Sequence, residues 1–257
     1  MSIINSVINL GVNAKDFPAI DVDMYGNFIA FDGKNSVNSN GMIVSLQEHI
    51  KMKFPLMQML DNGSFLLVDM RAVSTNAFIF NAEGVLKKSF FIGDAVQDVT
   101  FSDGKLIVSY FDEGVFGYPP STEGLAVFNM EGELLFGVNS SFGEDYICDC
   151  YALCKSGANA VYFFAYTEFE LAQLFLKNFK IERIKIPETL AGASAMVLDK
   201  GTIVFFNPYE HKNTLFRYHL YNKQLEKLGK VDFSILKGLE NGRFLAIKDD
   251  VFHIIGV

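Results

Sequence analysis

The sequence has no tryptophan and few of the residues that usually carry metal or nucleophilic chemistry. Its 257 residues include only 3 cysteines, 4 histidines and 6 prolines. The cysteines, Cys148, Cys150 and Cys154, are too close together and odd in number for a disulfide framework, so we expect free thiols in a reducing cytoplasm. The histidines lack metal-site or triad spacing, and there is no nucleophile elbow or phosphate loop. Catalytic residues are therefore not identified from motifs.

Positive charge and long apolar runs are also scarce. The chain has 22 lysines and arginines against 30 aspartates and glutamates, a formal net charge of −8. An acidic surface repels phosphate backbones, so we expect no nucleic-acid partner. No run reaches the roughly 18 apolar residues of a membrane helix, and no signal peptide is evident, so we expect no membrane partner.

Apolar residues are abundant, and a weak repeat organises them. Half of the chain is hydrophobic, and 26 residues are phenylalanine. Each repeat has an alternating strand, a turn ending in glycine, and a strongly apolar strand, and two further strands follow. Such turns favour hairpins because they need positive φ, and four antiparallel strands in about 40 residues are typical of a β-propeller blade. The turn glycines are Gly26, Gly63, Gly104, Gly157, Gly201 and Gly242.

The spacing of the repeats predicts a closed ring. The turn glycines are 37, 41, 53, 44 and 41 residues apart, and the interval from Gly242 through the C-terminus to Gly26 is again 41. The last repeat has three strands, and a spare strand at Ile3–Leu10 precedes the first repeat, so the N-terminal strand completes the last blade and removes an open edge. A two-sheet β-sandwich is the alternative fold, but it does not explain this interval.

We therefore predict an all-β, single-domain, six-bladed β-propeller with four antiparallel strands per blade. The segment Glu168–Ile186 suits a helix as well as strands, and we interpret it as the third and fourth strands of blade four. The domain spans residues 1–257, with blades at approximately 15–53, 54–93, 94–143, 144–188, 189–232, and 233–257 plus 1–14.

Polar residues recur near the start of the first, innermost strand of each blade. Carboxylate and amide oxygens in a ring suit calcium, so one hypothesis is a calcium site formed by Asp21, Gln58, Asp98 and Asp149. The alternative interpretation is that short polar side chains, including Ser194, cap exposed backbone groups at strand starts.

Blade three carries the longest irregular segment, Ser109–Gly124, and long shaped loops are often functional. We predict a ligand site over blades three and four, with acidic groups and tyrosine walls. The competing interpretation is that these residues lock blades together by buried hydrogen bonds. The cysteines are expected to be buried and inert, since a zinc site lacks a fourth ligand. The candidate ligand-binding residues are Asp98, Tyr110, Asp112, Glu113, Asp149, Tyr151, Tyr166, Glu168 and His211.

Segments of blades three and four resemble known sequences. The run Ser109–Gly117, preceded by Gln97–Val99 and followed by Asp149–Leu153 and Tyr166–Phe169, resembles a group of uncharacterised bacterial six-bladed β-propeller-like proteins. That resemblance covers about a third of the chain, residues 93–169, and implies a fold without an activity. More loosely, the architecture is similar to the regucalcin/gluconolactonase class, which implies a calcium-dependent lactonase.

Two functional hypotheses follow. The first is a non-enzymatic propeller that binds a small molecule or a protein on its loop-rich face. The alternative is a calcium-dependent lactonase or hydrolase that uses the carboxylates of the first strands, where a metal ion would act as Lewis acid or activate water. The sequence alone does not decide whether the protein is an enzyme.

Overall fold

The structure is a computed structural model that describes residues 3–142, 146–166, 168–233 and 235–257. Its strands form six four-stranded antiparallel sheets, which is the six-bladed β-propeller predicted from the repeats. By Cα proximity the chain divides into two compact units, Ala14–Cys150 and Met1–Asn13 with Tyr151–Val257. No helix in the described ranges is long and apolar enough to cross a bilayer.

The unit Ala14–Cys150 contains three sheets, each built from strands in chain order. Hydrophobic cores fill the spaces between neighbouring sheets. The strands are β2 (Ala19–Val22), β3 (Phe28–Phe31), β4 (Ser36–Ser39), β5 (Met42–Ser45), β6 (Pro55–Met59), β7 (Phe65–Asp69), β8 (Ala77–Phe80), β9 (Leu86–Phe90), β10 (Val96–Ser102), β11 (Lys105–Tyr110), β12 (Leu125–Asn129) and β13 (Leu134–Gly137). Two short helices accompany the third sheet, α1 (Asp112–Val115) and α2 (Val138–Phe142).

Strand β7 shows why the second strand of each blade is apolar without alternation. Phe65 and Leu67 belong to the core shared with the first sheet, whereas Leu66 and Val68 belong to the core shared with the third. Successive side chains of a strand point to opposite faces, and here both faces are covered. The continuous apolar run is therefore the pattern expected of a sheet packed between two others.

The second unit holds three sheets. Strand β14 (Asp149–Lys155) begins two residues before this unit, which starts again at Tyr151. Val204 and Phe206 of β19 pack in the core shared with the sixth sheet, and Ile203 and Phe205 pack in the opposite core, as in β7. The other strands are β1 (Ser6–Asn13), β15 (Ala160–Tyr166), β16 (Glu170–Phe175), β17 (Lys180–Ile184), β18 (Ala195–Asp199), β19 (Thr202–Asn207), β20 (Thr214–His219), β21 (Leu225–Lys230), β22 (Leu236–Gly238), β23 (Arg243–Lys248) and β24 (Val251–Gly256).

The N-terminal strand completes the sixth sheet, as predicted. Strand β1 pairs antiparallel with β24, and the sheet order is β1-β24-β23-β22. The strand runs from Ser6 to Asn13, three residues later than the predicted Ile3–Leu10. A bulge between Asn9 and Asn13 lets it continue past Gly11, whose φ is +66°.

Two further predictions are confirmed and one is corrected. The ambiguous segment of blade four forms β16 and β17, and all six turn glycines have positive φ. Cys148 was expected to be buried like the other two cysteines, but it is only partly buried and precedes β14, which begins at Asp149. Cys150 and Cys154 are buried in that strand, whereas Cys148 lies in the preceding bend.

Candidate functional site

The long segment of blade three is an ordered insertion between β11 and β12, residues 111–124. It contains α1 and a 3-10 turn at Ser121–Glu123. Ser121 Oγ donates to the carbonyl of Asp94 at 2.7 Å. Gly114 packs so closely on the preceding segment that a Cβ there would lie 2.7 Å from the Asp94 carbonyl and 2.8 Å from Ala95 Cβ. These contacts hold the insertion against residues 94–95.

Tyr110, which was predicted to be a wall of the ligand site, lies in the core. Its side chain is completely buried and its hydroxyl donates to the carbonyl of Ile92, as the competing interpretation of buried hydrogen bonds expects. Burial raises the pKa of Tyr110 well above its usual range, and the charge of Glu123 adds to the effect. Tyr110 belongs to the core beneath the insertion, where its ring fills the space between β11 and the segment that precedes β10.

Arg71 connects blade two to the insertion. Its guanidinium Nε lies 3.2 Å from Asp94 Oδ1, and Nη1 forms an ion pair with Glu113. The guanidinium also lies over the ring of Phe111, 5.4 Å from the ring centroid. Glu113, a predicted ligand-binding residue, therefore shares the positive charge of Arg71 with Asp94. Arg71 is not among the predicted site residues, because nothing in its local sequence indicates partners 23 and 42 residues away.

Two of the predicted acidic residues interact electrostatically, Asp112 in the first turn of α1 and Asp149 at the start of β14. Burial, with a smaller contribution from the carboxylate of Asp112, raises the pKa of Asp149 to about 6. Oδ1 of Asp149 is buried and has no hydrogen-bond partner among the described residues. Asp112 accepts a hydrogen bond from the backbone N–H of Glu113 at 2.8 Å. Asp149 therefore has an acceptor that is unsatisfied among the described residues, and it also feels the charge of a second carboxylate.

This arrangement predicts that Asp149→Asn stabilises the fold at neutral pH. The folded carboxyl keeps its proton up to about pH 6, whereas its ordinary pKa is 3.8. The folded state binds the extra proton between these values, so the free energy of unfolding falls as pH rises through the window. Because the side chain keeps some solvent contact, we expect a gain of only about 1–2 kcal/mol at about pH 7.5, and none at about pH 3.5.

Urea unfolding of both proteins at the two pH values measures this difference. The control is Asp61→Asn, which removes the same charge from an exposed turn. If the Asp149 variant gains no more stability than the Asp61 variant at neutral pH, the ionised carboxylate of Asp149 does not destabilise the folded protein.

The other polar residues of the first strands bind locally or to a neighbouring blade. Oδ2 of buried Asp21 accepts from Gln58 Nε2 at 2.8 Å and from Met59 N at 2.7 Å, which joins blade one to blade two. Oδ1 of Asp98 accepts from the N–H of Val99 at 2.8 Å. No group of three or more His, Cys, Asp or Glu side chains in the described part of the chain is placed to hold a metal ion. The calcium site at Asp21, Gln58, Asp98 and Asp149 stays a prediction.

The remaining candidates lie in the second unit and form two groups. The rings of Tyr151 and Tyr166 pack against Phe169, with centroid distances of 6.0 and 5.2 Å, and Glu168 beside it is exposed. The ring of His211 packs edge-on against Phe216 at 5.0 Å. Their role in ligand binding stays a prediction.

The buried cysteines have the environment expected of inert thiols. Burial raises the pKa of Cys154 to about 12, although a backbone hydrogen bond at Leu198 partly opposes this shift. The thiolate is the reactive form of cysteine, so at neutral pH this side chain acts as a small apolar group in the core.

Comparison with solved structures shows a shared fold. The chain is similar to a catalytically inactive variant of virginiamycin B lyase from Staphylococcus aureus, solved with quinupristin, at a TM-score of 0.59 and 12% identity over 98% of this chain and 99% of that one. A streptogramin B lyase gives 0.57 and 10%, over 98% and 96%. The extracellular domain of a protein described as a one-component system from B. thetaiotaomicron gives 0.58 and 16%, over 94% of this chain and 32% of that one.

These likenesses define the class as a β-propeller. At identities this low, similarity of fold carries no function with it. No family model and no curated protein matches the sequence.

Proposed function

We propose that this chain is a non-enzymatic binding β-propeller, and that its ligand contacts Asp112 and Asp149 beside the blade-three insertion. The observation that carries the proposal is the buried Oδ1 of Asp149, which has no hydrogen-bond partner among the described residues. A buried acceptor left unsatisfied costs about 1–3 kcal/mol. A ligand that donates a hydrogen bond to this oxygen, after a neighbouring side chain moves to expose it, would recover that free energy on binding.

The rigidity of the insertion supports the same proposal. Gly114 and Ser121 hold it on residues 94–95, and the ion pairs of Arg71 with Asp94 and Glu113 lie beside it. A site whose walls are already ordered loses less conformational entropy when it binds. Asp112 therefore occupies a defined position before any ligand arrives.

The alternative is a calcium-dependent lactonase or hydrolase, and the raised pKa of Asp149 is the observation that favours it. A carboxyl group that keeps its proton up to about pH 6 can act as a general acid near neutral pH. In this version Asp149 would transfer a proton, and the other carboxylates of the first strands would hold a calcium ion that acts as a Lewis acid.

A thermal-shift screen with matched variants tests the proposal. The probes are small amines, alcohols, sugars, carboxylates, two lactones and millimolar calcium chloride. We expect at least one organic probe to stabilise the native protein and the Asp61→Asn control equally, and to lose its effect on Asp149→Asn and Asp112→Asn. Lactone hydrolysis that requires calcium and Asp149 would replace the proposal with the alternative. If no probe depends on either aspartate, the assignment of this site is wrong.

A further inference from the structure

We propose that a cavity between the fifth and sixth sheets binds a neutral polyhydroxylated molecule, a small saccharide or a cyclitol. The cavity has a volume of about 440 Å³, which lies within the usual range for small-molecule pockets. It belongs to the unit that contains Tyr151–Val257 and shares no residue with Asp112 and Asp149. A ligand here is additional to the one in the proposed function, and the two stand on different observations.

Three connections between strands line the cavity, those from β19 to β20, from β21 to β22 and from β23 to β24. Neighbouring strands in each sheet are antiparallel, so the connections that follow a second and a fourth strand leave the sheets at the same end. The lining residues are Asn213 from the first connection, Asp232 and Phe233 from the second, and residues 247–250 from the third and the strand end before it.

A hydrogen bond and an ion pair join these connections before any ligand binds. The N–H of Val231 donates to the carbonyl of Asn213 at 2.9 Å, which joins the first connection to the second. Lys248 Nζ lies 2.5 Å from Asp232 Oδ2, which joins the second connection to the third. The two residues of the turn between β23 and β24 both have positive φ, as in a tight hairpin turn. Because these walls are already ordered, binding costs less conformational entropy.

The charges of the lining favour an uncharged ligand. Among the described residues, three aspartates and one lysine line the cavity, a formal net charge of −2 that disfavours an anion. Lys248 forms an ion pair with Asp232 and also interacts with the charge of Asp249, so an entering cation would compete with Lys248 for these carboxylates. The hydrogen bond between Lys248 and Asp232 lowers the pKa of Asp232 and raises the pKa of Lys248, so both are charged at neutral pH.

The lining combines hydrogen-bond donors, hydrogen-bond acceptors and apolar surface. Ionised carboxylates only accept, an ammonium only donates, and the amide of Asn213 does both. A hydroxyl group also donates and accepts, so a ring that carries several hydroxyls can use each of these groups. Phe233 and Ile247 are the apolar part of the lining and suit the C–H faces of such a ring. A saccharide or a cyclitol has both kinds of surface at a size that the cavity accepts.

Saturation-transfer NMR and calorimetric titration of the full chain test this site. The neutral probes are glucose, maltose and myo-inositol, and their counterparts are cationic glucosamine, anionic glucuronate and cyclohexanol, which has a single hydroxyl. We expect at least one neutral polyol to bind with a dissociation constant on the order of 1 mM, and the counterparts to bind at least about tenfold more weakly. Lys248→Met, which keeps the side-chain length but removes the donors, should weaken polyol binding about tenfold, and Asp249→Asn about threefold. Asp61→Asn should leave it unchanged.

Any of four results would overturn this assignment. They are no binding of a neutral polyol at about 50 mM, a charged analogue binding more tightly than glucose, cyclohexanol binding as tightly as myo-inositol, and polyol binding that neither Lys248→Met nor Asp249→Asn weakens. Asp112→Asn separates this cavity from the site of the proposed function, because it should leave polyol binding unchanged. If Asp112→Asn abolishes polyol binding, the ligand lies in the other site and this assignment is wrong. Unfolding curves check that each variant is folded.

Discussion

Replacing Gly238 with alanine is expected to destabilise the protein by about 3 kcal/mol, the upper part of the range for an overpacked core. Gly238 ends β22, and its α-carbon faces the backbone of two other first strands, β18 and β14. A Cβ at this position would fall deep inside van der Waals contact with the carbonyl oxygen of Met196, and it would lie 3.5 Å from the carbonyl of Leu153.

The cost is high because the obstructing atoms are backbone atoms of paired strands. A flexible side chain could rotate away from a new methyl group, but the Met196 carbonyl belongs to β18, which is paired with β19 along its whole length. Moving it disturbs the core that contains Val197 and Leu236. The φ of Gly238 is not in the left-handed region, so the predicted loss comes from packing and not from backbone strain.

Urea unfolding of Gly238→Ala and Gly104→Ala separates these two causes. Gly104 has a φ of +66°, and a Cβ there would meet nothing within 4 Å. Its alanine variant should therefore lose only the conformational term, about 1–2 kcal/mol. If Gly104→Ala is the more damaging change, or Gly238→Ala is nearly neutral, the close approach of β22 to β18 is not present in solution.

Removal of residues 1–13 is expected to abolish cooperative folding of the unit that contains Tyr151–Val257. Without β1, one whole edge of β24 loses its hydrogen-bonded partner. Buried Val12 is lost, together with Ile3 and Ile4, which pack against the core of the last two sheets. We estimate a loss on the order of 5 kcal/mol, which is comparable to the entire stability of an ordinary domain.

The truncated chain should show poor solubility and dye-accessible apolar surface, since an unpaired strand edge promotes association. The matched control removes only residues 1–2 and should behave like the full chain. A synthetic peptide of residues 3–13 added in trans should restore a cooperative transition by adding the strand back, and a scrambled peptide should not. A truncated chain that unfolds as cooperatively as the full chain would show that β1 is dispensable.

The candidate site was predictable only in part. The sequence predicts both Asp112 and Asp149 as site residues, because blades three and four contain the irregular segments. Their proximity was not predictable, since it depends on how the insertion folds onto residues 94–95. The same packing buries Tyr110, which was selected as a wall. A tyrosine beside a long loop has the same local sequence whether its ring faces solvent or the core.

The same distinction applies to Arg71 and Gly238. Arg71 finds Asp94 and Glu113 on other segments, and Gly238 is needed because of a carbonyl 42 residues away in sequence. The residues that neighbour Arg71 and Gly238 in the sequence predict neither the ion pairs nor the close backbone contact.

The sequence by itself determined the blade count, the turns and the closing strand. Turn glycines and apolar second strands are local signals, and they depend on backbone geometry and on the burial of both strand faces. The tertiary structure alone decided which carboxylates form ion pairs with Arg71, which tyrosine is buried, and which oxygen of Asp149 lacks a partner among the described residues. The physical reason is that pKa values, ion pairs and close packing depend on distances between segments far apart in the chain, whereas strand periodicity depends only on near neighbours.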